Sequence, residues 1–542
     1  MTLFLTLIVG CDTSSSVDSG DYAGVPVSSI SVEPAEITLS TGPDGGDPQQ
    51  FTAYVTYETG QTEVIPWVDW SVSNWSAGEV SEDGVFTPSS INGGTTWVTA
   101  NLAGVEGQST VTVVFEDQVF EQDVDDSLFT GDGAAPASDP WLYPEDGVNV
   151  PRNTPSLLFQ WEDTAESYEL RFRSSITDIA IYTTNDSWEA DTETWPVMAS
   201  TNAGGTLELT LSGVTDGSLW TAEPIDIQVN RLDAQGSIIY WTTSQEGLKE
   251  IVYGEEAENF FTRYEADGHC IGCHVISSKG MVAITYDGGD QELGMTDFAG
   301  DEPETVLGLG EGFYGNFKAF SPDGQYLLAS YMGALLLYDG QTGEYLNEVS
   351  VGSDDVTHVD WSPEGDQIVI VQAERQPSAA GHFTEGRIAV ADHVGDGAFD
   401  EPVVLYAPDD ASRNAYYPAF SPDGAWIAFN QSYGDAYDDY DAELYVMPRE
   451  GGEPIRLDRA NQGDDLSNSW PKWGPLPDDD ILWLAFASRR AYGAITDGTQ
   501  PQIWLSAFDP AKAAAGEDPS FPAFWLPSQE PDENNHLPVW VE

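Results

Sequence analysis

Apolar and polar residues alternate with period two along most of this chain, which predicts strands and very little helix. Between Val27 and Phe115 the runs SISVEPAEITLS, QFTAYVTYETG, VDWSVSN, GVFTPSS, TTWVTANLAG and STVTVVF are separated by polar turns. Ile30 and Val32, Ile37 and Leu39, and the set Phe51, Ala53, Val55 and Tyr57 each fall on one face. One buried face per strand predicts a small β-sandwich over residues 27–116. An acidic linker with Gly and Ala occupies residues 117–139. A second alternating module covers 140–250, with Trp161, Tyr168, Leu170 and Phe172 as its core and Tyr240-Trp241 near its end.

From residue 251 to 542 the texture becomes repetitive. Phe320-Ser-Pro-Asp-Gly324 precedes QYLLAS, Trp361-Ser-Pro-Glu-Gly365 precedes DQIVIV, and Phe420-Ser-Pro-Asp-Gly424 precedes AWIAFN. A degenerate copy begins at Trp473-Gly-Pro. An aromatic ends one strand, Pro and Gly make a tight turn, and an apolar strand returns beside it. Such units stack radially as propeller blades. Ile276-Ser-Ser-Lys-Gly280 fits the same template, and Asn535-His536-Leu-Pro-Val-Trp540 supplies one further strand. The expected fold class is therefore all-β: two sandwiches followed by a five- or six-bladed propeller closed by its C-terminal strand. The one helix expected is short, from Glu255 to about Ala266.

These motifs carry resemblances. The opening SISVEPAEITLS, the middle VDWSVSN and the close TTWVTANLAGVEGQSTVTV resemble bacterial immunoglobulin-like group 2 domains, which implies a spacer or adhesive unit. Pro151, Trp161 and Tyr240-Trp241 give the second module a resemblance to fibronectin type III sandwiches. The repeats resemble TolB-like (PD40) propellers over about 220 residues.

Charge narrows the function classes. The chain has 92 Asp and Glu against 18 Lys and Arg, a formal net charge of −74 over 542 residues. Such a surface repels phosphate backbones, so nucleic acid is excluded as a partner. At the N-terminus the apolar run MTLFLTLIVG ends at Cys11 and is followed by a Ser/Asp/Gly tether. Residues 1–26 thus resemble a lipoprotein signal and tether, without the usual basic start, which implies lipidation at Cys11. The expected setting is the cell envelope, on the periplasmic face of the outer membrane or the cell surface, with the chain a monomer. As a whole the assembly resembles large lipoproteins of myxobacteria.

The remaining two cysteines form Cys270-Ile-Gly-Cys273-His274, the spacing of covalent c-type haem attachment. In that reading Cys270 and Cys273 carry the thioethers and His274 is the proximal iron ligand. His536 or His358 is the candidate distal ligand, with Met281 and Met295 as rivals. A zinc site lacks further Cys ligands, a thioredoxin-like motif lacks its βαβ setting, and a disulfide is the plain alternative. Calcium is a weaker expectation, at the acidic run Ser432–Glu443. Arg489-Arg490 is expected to pair with acids or with haem propionates. No nucleophile elbow, P-loop or dinucleotide fingerprint occurs, and no catalytic residue is assigned. The first expectation for function is electron transfer or redox sensing with a protein partner. The alternatives are a propeller scaffold for protein–protein interaction, with haem structural or absent, and a peroxidase-type haem enzyme.

Overall fold

The computed structural model describes residues 25–542 apart from 132, 163, 191–193, 301, 353–354, 374–381, 435, 438, 464–465 and 476–479. Cys11 therefore lies outside the described residues. Two compact units divide the chain, one reaching to Glu116 and one beginning at Asp117.

The first unit is a β-sandwich. Strand Val27–Glu33 pairs antiparallel with Thr52–Tyr57, setting Ile30 opposite Val55 and Val32 opposite Ala53. Strand Gly94–Leu102 pairs with Val105–Phe120 on one side and Asp69–Val72 on the other. The inward residues of these strands, with Phe51 and Phe86, form one core. Period-two alternation has one cause here: each strand turns one face to the opposite sheet and the other to water.

The second unit opens with another sandwich. Strands Trp141–Tyr143, Leu158–Trp161 and Ser187–Glu189 form one sheet, and the other is built on Ser167–Arg173, Thr177–Thr183 and Gly205–Thr215. Trp161 packs on Tyr168 at 5.3 Å, and Phe159 on Phe172 at 5.2 Å and Trp188 at 5.8 Å. Its last strand, Ile225–Val229, ends well before residue 250. Strands Ser237–Thr242 and Gly247–Val252, expected to finish this module, instead pair in a sheet with the C-terminal strand Asn535–Val541.

That sheet is blade 1 of a propeller. Reading outward it comprises Asn535–Val541, Ser237–Thr242, Gly247–Val252 and Glu258–Phe261. Blades 2 to 6 begin with the strands Ile271–Ile276, Lys318–Phe320, Asp355–Trp361, Arg413–Phe420 and Ser469–Trp473, each followed outward by its own later strands. Each first strand packs on the next, and the sixth on Asn535–Val541, so the ring closes at six blades. The helix expected over Glu255–Ala266 is absent. Glu258–Phe261 is an edge strand whose Phe261 lies opposite Leu248 and packs edge-on against Phe298 at 5.4 Å. Burying those rings on the blade outweighs a modest local preference for helix.

The Ser-Pro-Asp-Gly turns have a visible chemistry. Ser321 accepts the Gly324 N–H at its carbonyl and the Tyr326 N–H at its hydroxyl, which in turn donates to Asp323. Ser421, Gly424, Trp426 and Asp423 repeat the arrangement. Gly324 and Gly424 have φ of +65° and +67°, which is why Gly stands there.

Candidate functional site in the propeller channel

The six first strands line the central channel. Three residues before each blade's aromatic position stand Cys273, Phe317, His358, Tyr417, Trp470 and Leu537. All six line one cavity of about 60 Å³. Five of them have a left-handed backbone, with φ between +39° (His358) and +63° (Trp470). At each of those five a bulge shifts the strand register. A bulge re-aims one side chain out of the blade, and here it aims five of them at the axis. A non-glycine residue so placed costs on the order of 1 kcal/mol or more, and the packed ring offsets it.

The ring closes the channel. Phe317 lies 4.0 Å from His358, His358 4.1 Å from Tyr417, and Tyr417 stacks on Trp470 at 3.8 Å (all centroid distances). Next along the strands come His274, Lys318, Val359, Pro418, Pro471 and Pro538, also on the cavity wall. Beyond them the channel widens into a vestibule of about 290 Å³, lined by Phe320, Phe420, Trp473 and Trp540 with Asp360 and Lys472 among them. It reaches the exposed C-terminal Glu542.

Charge at this centre is sparse but deliberate. Lys318 is buried, and its ammonium donates to the Cys273 carbonyl at 2.6 Å, the Asn316 carbonyl at 2.6 Å and the Thr285 hydroxyl at 2.7 Å. Burial lowers its pKa to about 8. Lys472 stands 3.6 Å from Asp360, whose carboxyl burial pushes upward against the pull of that lysine. Asp360 also accepts the Phe420 N–H at 2.9 Å, tying blade 4 to blade 5.

The two channel histidines are held differently. His274 is 2% exposed, and its Nε2 lies 3.2 Å from the Ile239 carbonyl. A carbonyl only accepts, so Nε2 carries the hydrogen and Nδ1 keeps its lone pair, without a hydrogen-bond partner. Burial lowers the His274 pKa to about 4. His358 accepts the Tyr417 N–H at Nδ1, at 3.4 Å, while its buried Nε2 has no partner. Burial holds its pKa well below that of a free imidazole.

Cys270 and Cys273 are both free thiols. Cys273 is on the channel wall, and burial raises its pKa. Cys270 is half-buried at the edge of blade 2, where its backbone N–H donates to Asp287. Burial first, then Glu246 and Asp287, push its thiol up to about 11. Neither thiol is an activated nucleophile.

The other expected ligands are dispersed. His536, four residues before Trp540, lies off the cavity wall, 6.0 Å from the Trp241 ring. Met281 and Met295 are buried between blades 2 and 3 with Leu293, Leu307 and Leu327. In the acidic run Ser432–Glu443, Asp435 and Asp438 lie outside the described residues; Asp441 accepts the Tyr433 N–H and Glu443 pairs with Arg456. Among the described residues no three His, Cys, Asp or Glu side chains converge as a metal site. Arg490 is buried, with no carboxylate in contact among the described residues. It donates to the Ala460 carbonyl, Asn468 and Ser488 and lies over the Trp504 ring, and burial lowers its pKa to about 10. Arg489 donates to the Thr499 carbonyl and lies over Tyr440.

A haem placed on Cys270, Cys273 and His274 does not fit these residues as packed. A site for a ligand of drug or cofactor size takes about 300–1,000 Å³. The cavity beside His274 is about 60 Å³, and the ring is fastened to Ile239 on blade 1.

No family model matches this chain, and no curated protein does. Solved structures do. A protein assigned as TolB from Agrobacterium tumefaciens aligns at a TM-score of 0.33 and 18% identity, over 54% of this chain and 89% of that one. A nidogen/laminin complex aligns at 0.36 and 11%, over 56% and 98%. Hydrazine synthase of Kuenenia stuttgartiensis aligns at 0.33 and 12%, over 50% and 72%. Likeness at this level carries no argument about chemistry, and the propeller stands on its own strand pairing.

Phe317, Lys318, Tyr417, Trp470, Lys472 and Leu537 escaped notice in the sequence. The signal was there: each keeps a fixed offset from the aromatic of its own repeat.

Proposed function

We propose that this chain is an envelope-anchored scaffold whose propeller seats a protein partner over the channel vestibule. One observation carries the reading: an open aromatic vestibule of about 290 Å³ lies directly above a plugged channel. A concavity walled by aromatic rings and carrying two opposed charges, Lys472 and Asp360, suits an anchoring side chain from a partner. The plug below lets nothing of that size pass through. A photoreactive phenylalanine analogue at Pro422, on the vestibule wall, is expected to give one discrete crosslinked protein in the native cells. The same analogue at the exposed Val394 is expected to give none. No adduct at Pro422, or the same adduct from both positions, removes this reading. Anchoring rests on Cys11, and a Cys11→Ser chain is expected to lose metabolic labelling by a palmitate analogue.

A second reading of blade 2 is favoured by the unpartnered Nδ1 of His274 within the CxxCH pentapeptide. There Cys270 and Cys273 would hold a covalent haem and His274 would ligate it, the group supplying one-electron chemistry when bound. It requires the first strand of blade 2 to be packed otherwise than described above. A pyridine haemochrome spectrum of protein matured alongside c-haem assembly machinery tests it, and absence of covalent haem removes it. With haem present, low-spin iron fits electron transfer or redox sensing, and high-spin iron a peroxidase-type enzyme.

A further inference from the structure

The charge inside the propeller channel runs against the rest of the chain. Overall there are 92 acids and 18 bases, and only five of those bases are lysines. Yet the cavity of about 60 Å³ at the aromatic ring is walled by Lys318, Lys472, His274 and His358, and by no carboxylate.

Lys318 is 3% exposed, and its three N–H groups are spent on two carbonyls and a hydroxyl. A buried lysine is ordinarily paired with an acid. Here no carboxylate reaches the ammonium among the described residues. Its hydrogen bonds are made and its charge is left uncompensated.

Two donors on the same wall lack acceptors. His358 is 3% exposed, and its Nδ1 accepts the Tyr417 N–H, so Nε2 carries the hydrogen. That Nε2 has no hydrogen-bond partner. Lys472 stands 3.6 Å from Asp360, too long for a hydrogen bond. No other acceptor reaches its ammonium among the described residues. After burial, the charge of Lys472 also favours the neutral form of both His274 and His358, so the lysine and the two imidazoles share one field.

An uncompensated cation beside unpaired N–H donors suits an acceptor that carries negative charge. Lys318 and Lys472 bring two positive charges, and Asp360, beside Lys472, brings one negative. A single monovalent anion balances the set. The lone pair at His274 Nδ1 opposes an anion, but it is weak beside two ammonium charges. One water needs roughly 10–15 Å³ of such free space, so about 60 Å³ admits chloride, nitrate or formate and excludes a nucleotide. Lys472 lies on the walls of both cavity and vestibule, which makes the vestibule the way in.

We propose that this cavity binds a small monovalent anion, with Lys472 and His358 donating to it and Lys318 supplying the balancing charge. The site is independent of whether a partner seats in the vestibule.

Melting of the purified full chain at pH 7 tests it. Sodium gluconate, too bulky for the cavity, is replaced stepwise by sodium chloride, nitrate or formate at constant ionic strength, so that screening stays fixed. At least one small anion is expected to raise the melting temperature along a saturating curve. His358→Phe keeps a ring against Phe317 and Tyr417 but loses the donor. Lys472→Gln loses the ammonium at a side chain about a third exposed, and is expected to fold even where His358→Phe does not. In each folded variant the half-saturating concentration is expected to rise at least about tenfold. No rise with any small anion overturns the proposal. So does a rise that never saturates, or one that is unchanged in a folded variant.

Discussion

At the scale of single residues, burial at the channel sets the chemistry more strongly than the residue types do. His274 shows it with a definite sign. Its folded pKa is lowered to about 4, from 6.5 for a free imidazole. Below pH 6.5 the unfolded chain takes up a proton there, and the folded chain does not until about pH 4. Stability from this group is therefore present above pH 6.5 and is lost as the pH falls toward 4, by about 3 kcal/mol in all. Urea unfolding at pH 7 and pH 4.5 is expected to show this loss in the native chain but not in His274→Gln, the acidic residues common to both cancelling in the comparison. An equal pH dependence in the two would show that His274 titrates normally. Arg490 makes a similar case without titration. Its guanidinium satisfies a carbonyl and two side chains where the connection from blade 5 meets blade 6, and covers Trp504. Arg490→Ala leaves those acceptors unpaired and a hole beside the indole, and is expected to cost about 3 kcal/mol or more by denaturant titration. The sequence marked both residues for attention, His274 as a haem ligand and Arg490 as a partner of acids or haem propionates. Nothing local in a sequence says whether a polar side chain will meet a ligand or a backbone carbonyl.

At the scale of elements, legibility followed the distance over which strands pair. The repeats beginning at Phe320, Trp361 and Phe420 pair with strands within a few residues, and their turns announce themselves. Of blade 1 only the closing strand was legible, because Ser237–Thr242 pairs with Asn535–Val541, almost 300 residues on. A strand with a distant partner reads as the end of whatever precedes it, as Tyr240-Trp241 did. Register is the second lesson. His274 stands two residues before Ile276, His358 three before Trp361 and His536 four before Trp540, at the equivalent position of each repeat. One step along a strand reverses the face, and the bulges add a further turn, so His274 and His358 share a cavity while His536 faces Trp241. The closing strand also yields an expectation. Deleting Asn535–Glu542 uncovers the edge of Ser237–Thr242 and removes Leu537, Pro538 and Val539 from the channel wall. The truncated chain is expected to lose the cooperative unfolding of the propeller and to be cut by protease under native conditions. Resistance equal to the full chain would mean that five blades hold the ring without it.

At the scale of the whole molecule, the dominant fact is a charge of −74 carried by two compact units. With 92 acids and 18 bases most carboxylates have no cation to pair with, and the few ion pairs are mostly at the surface and worth little each. Folding brings those carboxylates together, so self-repulsion opposes the compact state at low ionic strength. Screening acts over about 10 Å at 0.1 M salt and about 3 Å at 1 M, and weakens that repulsion. The melting temperature is therefore expected to rise by at least about 5 °C between roughly 0.01 M and 1 M sodium chloride, in line with a few kcal/mol of relieved repulsion. A chain of balanced charge would change little over this range. Calcium chloride at matched ionic strength separates screening from binding. Equal melting temperatures in the two salts mean that the acids act as a diffuse field, whereas a further rise saturating at low millimolar calcium locates a bound ion. The geometry favours the first outcome, since no three acidic or soft ligands converge among the described residues. A flat or falling melting temperature across the sodium series would show that the unfolded chain feels the same repulsion as the folded one.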